Sequence, residues 1–273
     1  MPELPEVETI ARSLRDLIRG AEVRAVTVDG HAHWRQASTL KGRRIEGVRR
    51  LGKHLLLDCS GNRTLDVHFG MTGAIQVASV GVDTVAHERM RLGLILDEEQ
   101  LVLRLVDPRG FGHARVGRRG MDGIVDLQAL HDLGPDALDA WSFGDLEREA
   151  SRRRSGSIKA LLLDQHAVAG IGNYIADEAL HAARVRPQRP ASGLSRLALL
   201  RVHGAVIEII ERSLAAGGAS LRDYEHVDGG RGSMQTMLRA YGRAGEPCMG
   251  CGAPLVRAVV AGRGTTYCPR CQR

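Results

Sequence analysis

The sequence predicts an α+β multidomain chain: an N-terminal helix laid on an antiparallel β-sandwich, then a helical domain, then a cysteine ribbon. Three observations carry this. Between Val23 and about Val116, short runs of strand length recur between Gly, Asn and Asp turns. Around Gly134-Pro135 that pattern stops, and helical spacing governs the chain as far as Gly217. At the carboxyl end Cys248, Cys251, Cys268 and Cys271 stand as C-x2-C-x16-C-x2-C, the spacing with which paired turns grip one tetrahedral Zn²⁺.

Taken in order, Pro5-Glu6-Val7-Glu8 opens a helix with acidic residues in its first turn. Val7, Ile10, Leu14, Leu17 and Ile18 give it an apolar face before Gly20. Strands are expected at Val23–Val28, Arg43–Val48, His54–Asp58, Thr64–His68, Ala74–Ala78, Arg91–Leu96 and Leu101–Val106. The polar stretch Asp136–Arg154 reads as a hinge with partial helix. Ser157–Gln165 is helical, Ala167–Gly172 is a small-residue turn, and Asn173 is expected to cap Tyr174–Ala183. Leu194–Ala215 makes a long helix, and Gly217–Gln235 is Gly-rich and polar, hence a mobile loop. The divisions expected are 1–133 for the sandwich, 134–154 for the hinge, 155–240 for the helical domain with its loop, and 241–273 for the ribbon.

At 273 residues with 43% hydrophobic content, the chain can bury a substantial core. Its formal charge of +6 favours polyanions without demanding them. Only Lys41, Lys53 and Lys159 are lysines among 38 basic residues, so a retained lysine points to a place that wants a compact charge rather than a planar fork. No run approaches the ~18 apolar residues of a membrane span. The acidic start is also unlike a basic signal peptide, so a reducing cytoplasm is expected. There the four thiols are available to a metal rather than to disulfides. Cys59, inside a strand-like run, reads as an inert buried thiol. Between the cysteine pairs the sequence alternates like a hairpin around Gly-Arg-Gly, which would present Arg263 at its tip.

Pro2 follows the initiator Met, which is normally removed before so small a residue. An exposed terminal proline is then a secondary amine with a pKa near 7.7–8, far more often neutral than a lysine and ready to attack a sugar aldehyde carbon. Glu3 and Glu6 place two carboxylates beside it that can donate and accept protons. Met71 and Phe111, read alone, are core residues.

The opening Met1-Pro-Glu-Leu-Pro-Glu-Val-Glu-Thr9 closely resembles that of the bacterial formamidopyrimidine-DNA glycosylase and endonuclease VIII family. The resemblance continues through Gly52-Lys-His-Leu-Leu-Leu57, His68-Phe-Gly-Met-Thr-Gly73, Asp107-Pro-Arg-Gly-Phe-Gly112, Ile158-Lys-Ala-Leu-Leu-Leu-Asp-Gln165, Val168-Ala-Gly-Ile-Gly-Asn173, Tyr241-Gly-Arg-Ala-Gly-Glu-Pro-Cys248 and the cysteines. It implies a helix-two-turn-helix domain, one structural Zn²⁺ on the four cysteines, and a monomer that acts on damaged double-stranded DNA. It implies a base-excision glycosylase and abasic-site lyase that removes oxidised purines: Pro2 forms an imine at C1′, and β- then δ-elimination follow. By the same resemblance Glu3 moves protons, Glu6 positions the flipped nucleotide, and Lys53 belongs with this catalytic group. Lys53, His68, Asn173, Tyr241 and Arg263 match phosphate grips, while Met71, Arg109 and Phe111 match the residues that fill the hole left by extrusion. Ser220, Ser233 and Thr236, in or beside the Gly-rich loop, are candidates to meet the flipped base.

Two departures bear on function. Gly110 stands where the family usually has arginine, so one cation near the backbone is missing and weaker non-specific binding is expected. Gly172-Asn-Tyr174 is closer to the endonuclease VIII branch, which keeps an oxidised-pyrimidine enzyme open as an alternative. A non-catalytic zinc-ribbon protein that binds damaged DNA is the alternative from another class.

Overall fold

In the computed structural model, which describes residues 2–32, 34–153, 155–221 and 224–273, the amphipathic start forms α1 (Leu4–Ile18). Leu4, Val7, Ile10, Ala11, Leu14 and Ile18 are buried along it, whereas Leu17 falls outside the stripe and is exposed. The helix packs on β2 (Ile45–Leu51) and β3 (His54–Cys59). Arg15 Nε also donates to Val48 O at 3.1 Å.

Two four-stranded antiparallel sheets follow. One runs β2–β3–β4–β8, with β4 at Arg63–His68 and β8 at His113–Arg118. The other runs β1–β6–β7–β5, formed by Glu22–Val28, Glu88–Leu96, Glu99–Val106 and Ala74–Ser79. Alternation decides the inner face of the first sheet: Leu55, Leu57, Leu65, Val67 and Ala114 join the core with α1 and with Leu92, Leu94, Leu103 and Leu105 of the second. Each such side chain contributes roughly 1.5–3 kcal/mol of burial. β8 was not among the expected strands, because His113-Ala-Arg-Val-Gly-Arg118 alternates small and basic residues and has no apolar run. The strand expected at Arg43–Val48 begins two residues later, at Ile45, because Arg43 follows the Lys41-Gly42 turn and Arg44 makes only an isolated bridge to Glu22.

The chain divides into two compact units, Met1–Asp132 with Ala216–Gln235, and Leu133–Ala215 with Thr236–Arg273. The Gly-rich loop therefore goes with the sandwich and not with the helices that flank it in sequence; Tyr224 and Val227 are buried in the sandwich core.

The second unit holds α3 (Phe143–Arg152), α4 (Ile158–Leu163), α5 (Asn173–Ala182) and α6 (Arg196–Ala215); the short α2 (Gln128–His131) belongs to the first. The stretch expected to be a hinge carries α3, with Ser142 as its N-cap and Leu146 and Ala150 buried. Ser157 caps α4 by accepting from Ala160 N–H at 3.1 Å. Gly172, not Asn173, is the N-cap of α5, so Asn173 is its first helical residue. The ribbon hairpin is β9 (Val256–Val260) and β10 (Arg263–Tyr267). Its two-residue turn is Ala261-Gly262, both at positive φ, as a tight hairpin that follows strand twist requires. Arg263 thus opens β10 opposite Val260, beside the tip, and is exposed. No described helix is long and apolar enough to cross a membrane.

Candidate active site

In the sandwich unit, the start of α1 and the Gly-rich loop share one carboxylate. Glu6 Oε2 accepts the Glu3 N–H at 2.8 Å, reaching back as a capping residue does, and Glu6 Oε1 accepts the Ala219 N–H at 2.7 Å. Glu3 and Glu6 are 4% and 1% exposed, so two acids are held almost dry at one helix end. Pro2 is buried as well, where the sequence suggested an exposed residue. Tyr224 donates towards Glu6 O and Gly217 O at 3.4 and 3.3 Å. Burial, and then the charge of Glu6, raise its phenol well above the usual range.

The loop needs its glycines. Gly218 has φ +85°, and a Cβ there would sit 3.0 Å from Glu6; one on Gly232 would lie 2.2 Å from Gly218 O. The loop is cross-tied rather than open. Ser220 N–H donates to Gln235 Oε1 at 2.9 Å, Gly232 N–H to Ser220 Oγ at 3.0 Å, and Ser233 N–H to Ala216 O at 2.8 Å. Ser220 and Ser233 are therefore already engaged with the loop's own backbone.

Two turns carry the next group. Asp107, fully buried, accepts from Thr72 Oγ1 at 2.7 Å and Gly112 N–H at 2.8 Å, tying the turn after β4 to the turn after β7. Their backbones touch, since a Cβ on Gly70 would lie 2.6 Å from the Phe111 carbonyl carbon and one on Gly112 2.7 Å from His68 O. Met71, Arg109 and Phe111 are consequently gathered at one place. Arg109 Nη1 is 3.5 Å from Met71 Sδ, and its guanidinium lies 4.7 Å from the centre of the Phe111 ring. Both apolar members are exposed, Phe111 to 56%, so neither is a core residue. Asp107, which organises all three, gave no signal beyond its place in a motif.

Lys53 follows Gly52 in the β2–β3 turn and is 8% exposed. His68 closes β4, and its Nδ1 accepts the Gly70 N–H at 3.2 Å, which leaves the hydrogen on Nε2. Burial, and then the neighbouring His54 and His113, lower its pKa to about 3.

In the helical unit Asn173 Nδ2 donates to Gly264 O at 2.8 Å, directly beside Arg263. Lys159, fully buried, donates to the same carbonyl at 3.3 Å, to Thr265 Oγ1 at 2.7 Å and to Asp177 at 2.6 Å. Asp177 also accepts the Thr266 N–H at 3.0 Å. Burial pushes its carboxyl up to about 6 against the pull of Lys159. Glu178 accepts the backbone N–H groups of Arg239, Ala240 and Tyr241 at 2.7–2.9 Å, which fixes where Tyr241 begins. The sequence singled out Lys159 without a role and missed Asp177 and Glu178. The adjacent acids in Ala176-Asp-Glu178, on a helix with little polar face, were the available signal.

The four cysteine sulfurs lie within 4.8 Å of one another, with Cys251 and Cys268 3.5 Å apart and Cys271 N–H directed at Cys268 Sγ at 3.3 Å. None is in a disulfide. A tetrahedron of sulfurs about 2.3 Å from Zn²⁺ has edges of roughly 3.8 Å, so this set fits one ion. Gln272 anchors the knot by accepting from Cys268 N–H at 2.7 Å and donating to Val185 O at 2.9 Å.

Comparison with known proteins agrees with this geometry. The family descriptions "Formamidopyrimidine-DNA glycosylase N-terminal domain", "Formamidopyrimidine-DNA glycosylase H2TH domain" and "Zinc finger found in FPG and IleRS" match residues 1–114, 133–225 and 245–273. The chain belongs to the formamidopyrimidine-DNA glycosylase family. It is 42% identical to the formamidopyrimidine-DNA glycosylase of Thermus thermophilus over 100% of this chain and 98% of that one. It is 41% identical to that of a Roseiflexus species over the full length of both. The crystal structure of the Thermus protein superposes with a TM-score of 0.88 at 41% identity, covering 99% of this chain and 98% of that one. A Lactococcus lactis Fpg in complex with DNA containing an abasic site gives 0.88 at 30% identity over the whole of both chains. Within the family pattern, Gly110 is at φ +64°, a left-handed position that glycine occupies at no cost and arginine does not.

Proposed function

We infer that the protein is a base-excision-repair DNA glycosylase and abasic-site lyase that removes 8-oxoguanine and formamidopyrimidines from duplex DNA. The observation that carries the reading is the buried pair Glu3 and Glu6 at the chain start, with Glu6 joining the amino terminus to the loop through Ala219. Once Met1 is removed, the Pro2 nitrogen attacks C1′ of the extruded nucleotide, the base departs, and an imine joins protein and sugar. Glu3 gives a proton to the ring oxygen as the sugar opens and afterwards takes one from C2′, so the 3′ phosphate leaves; loss of a second proton, from C4′, then releases the 5′ phosphate. Glu6 is a positioning residue. Lys53 supplies a compact positive charge near the phosphates; His68, Asn173, Tyr241 and Arg263 hold the strand; Met71, Arg109 and Phe111 fill the vacated stack. Zn²⁺ on Cys248, Cys251, Cys268 and Cys271 keeps Arg263 in place and takes no part in the chemistry.

The Asn-Tyr order that resembles the endonuclease VIII branch has a packing origin. Tyr174 is 2% exposed and its hydroxyl is 2.9 Å from Ser213 Oγ of α6, so it has no surface with which to read a lesion. Borohydride added to mature protein and a duplex holding one abasic site should trap a covalent adduct that disappears when Met1 is retained. No adduct with the mature protein would overturn the lyase reading. Single-turnover excision should be faster for 8-oxoguanine opposite cytosine than for thymine glycol; the reverse order overturns the purine assignment alone.

A further inference from the structure

The outer face of the β2–β3–β4–β8 sheet carries a polar cluster of which the chemistry above uses only His68. In the strand register His54 faces His68 and His68 faces His113, so three imidazoles stand in one rung across β3, β4 and β8. Asp66 lies two residues before His68 on the same face, while its neighbours Leu65 and Val67 point into the core. His54 Nδ1 is 2.8 Å from Asp66 Oδ1, and His113 Nε2 is 3.5 Å from Asp66 Oδ2. Asp66 is fully buried and His54 is 8% exposed. Asp66 Oδ2 and His113 Nε2 are buried and have no hydrogen-bond partner among the described residues.

Two buried polar atoms of opposite character that stand 3.5 Å apart without forming a hydrogen bond are costly unless something sits between them. One donor atom from each of His54, Asp66 and His113 lies within 4.8 Å of the others. Two imidazoles and a carboxylate suit a borderline divalent ion, with a fourth position left for water. His68 is not a ligand, because its Nδ1 lone pair is taken by the Gly70 N–H; it stacks on His113 at 5.3 Å and 13° instead. We propose that His54, Asp66 and His113 form a second metal site, separate from the cysteine ribbon, that takes one Zn²⁺ or Co²⁺. The ion satisfies both orphaned atoms at once and balances the buried carboxylate.

Cobalt tests this through its colour, without an activity assay. Full-length protein carrying one zinc in the cysteine site is titrated with Co²⁺ while absorption and bound zinc are followed. The expected result is one further equivalent with visible d–d bands, no thiolate charge-transfer band and no zinc released. His113→Phe keeps a ring against His68 and Asp66→Asn keeps the shape of the carboxylate; each should weaken this binding by more than the ~10–100-fold that loss of an outer-shell partner costs. Circular dichroism and retained zinc report that the variants are folded. If wild-type protein takes up no cobalt at millimolar concentration, or takes it up only with a growing thiolate band and zinc release, the proposal fails. It also fails if both folded variants bind cobalt as the wild type does.

Discussion

The sandwich and the ribbon hold themselves together by different means. The sandwich buries one continuous apolar cluster, from Val7 of α1 to Leu105 of β7 and Val227 of the loop. The ribbon buries only Cys248, Leu255 and Cys268, with Cys251, Ala253 and Cys271 packed against them. A knot that small cannot offset its own chain entropy by burial. It relies on a metal and on polar ties, from Lys159 of α4, from Asp177 of α5 and from Gln272 to the Val185 carbonyl after α5. The sharpest way to break the comparison is to remove the metal. Stripping zinc, or Cys268→Ala, should unfold the ribbon and abolish DNA binding, since such sites supply on the order of 10–16 kcal/mol. The sandwich should keep its own unfolding transition in the same sample, and simultaneous loss of both would show that the two are not separately stabilised.

A smaller break comes from the ion pair. Asp177→Ala leaves Lys159 buried without its counter-charge and should destabilise the helical unit by about 3–5 kcal/mol in urea unfolding. Replacing both residues by apolar ones of similar size should recover most of that loss, because a buried pair rarely outperforms good packing. Neither change should move the transition of the sandwich. The reciprocal change is Leu14→Ala, which cuts a fully buried side chain from the sandwich and should cost about 2–5 kcal/mol there while zinc content stays at one. A drop in zinc on Leu14→Ala would mean that the two parts share their stability.

The same contrast explains what could be read from the residues alone. The sandwich was legible because its strands alternate, and α1 because its stripe repeats at helical spacing; Leu17 misled only because it sits at the edge of that stripe. β8 was hidden because His113 and Arg115 face outward and its inward apolar residues are only Ala114 and Val116. The four metal-ligating cysteines were visible as spacing. What stayed hidden was non-local. The tie from Glu6 to Ala219 spans 213 positions and that from Lys159 to Thr265 spans 106, so no window of sequence contains either. The exposure of Met71 and Phe111 follows from Gly70 and Gly112 pressing two turns together, a contact that composition does not announce. Arg263 was placed one residue too near the tip, because Gly-Arg-Gly looks like a turn and the chain turns at Ala261-Gly262 instead.

The finest comparison is between two residues proposed to hold the strand, one in each unit. Arg263 is an exposed guanidinium at the start of β10, next to the Gly264 carbonyl that Asn173 and Lys159 hold. His68 offers a single N–H, because the Gly70 N–H occupies its other nitrogen and keeps it unprotonated. If both touch phosphate, only the arginine releases a counter-ion. Arg263→Ala should therefore lower the slope of log affinity against log salt by about one and weaken binding evenly across sequences. His68→Gln, which preserves a neutral donor, should leave the slope unchanged and cost less than about 1.5 kcal/mol of affinity at any salt, the worth of one uncharged hydrogen bond. Fluorescence anisotropy with a duplex carrying a stable abasic analogue, measured across a range of salt, separates the two. A slope that falls for His68→Gln as it does for Arg263→Ala would show that the histidine carries charge when DNA is bound, and the tautomer set by Gly70 would then not survive the complex.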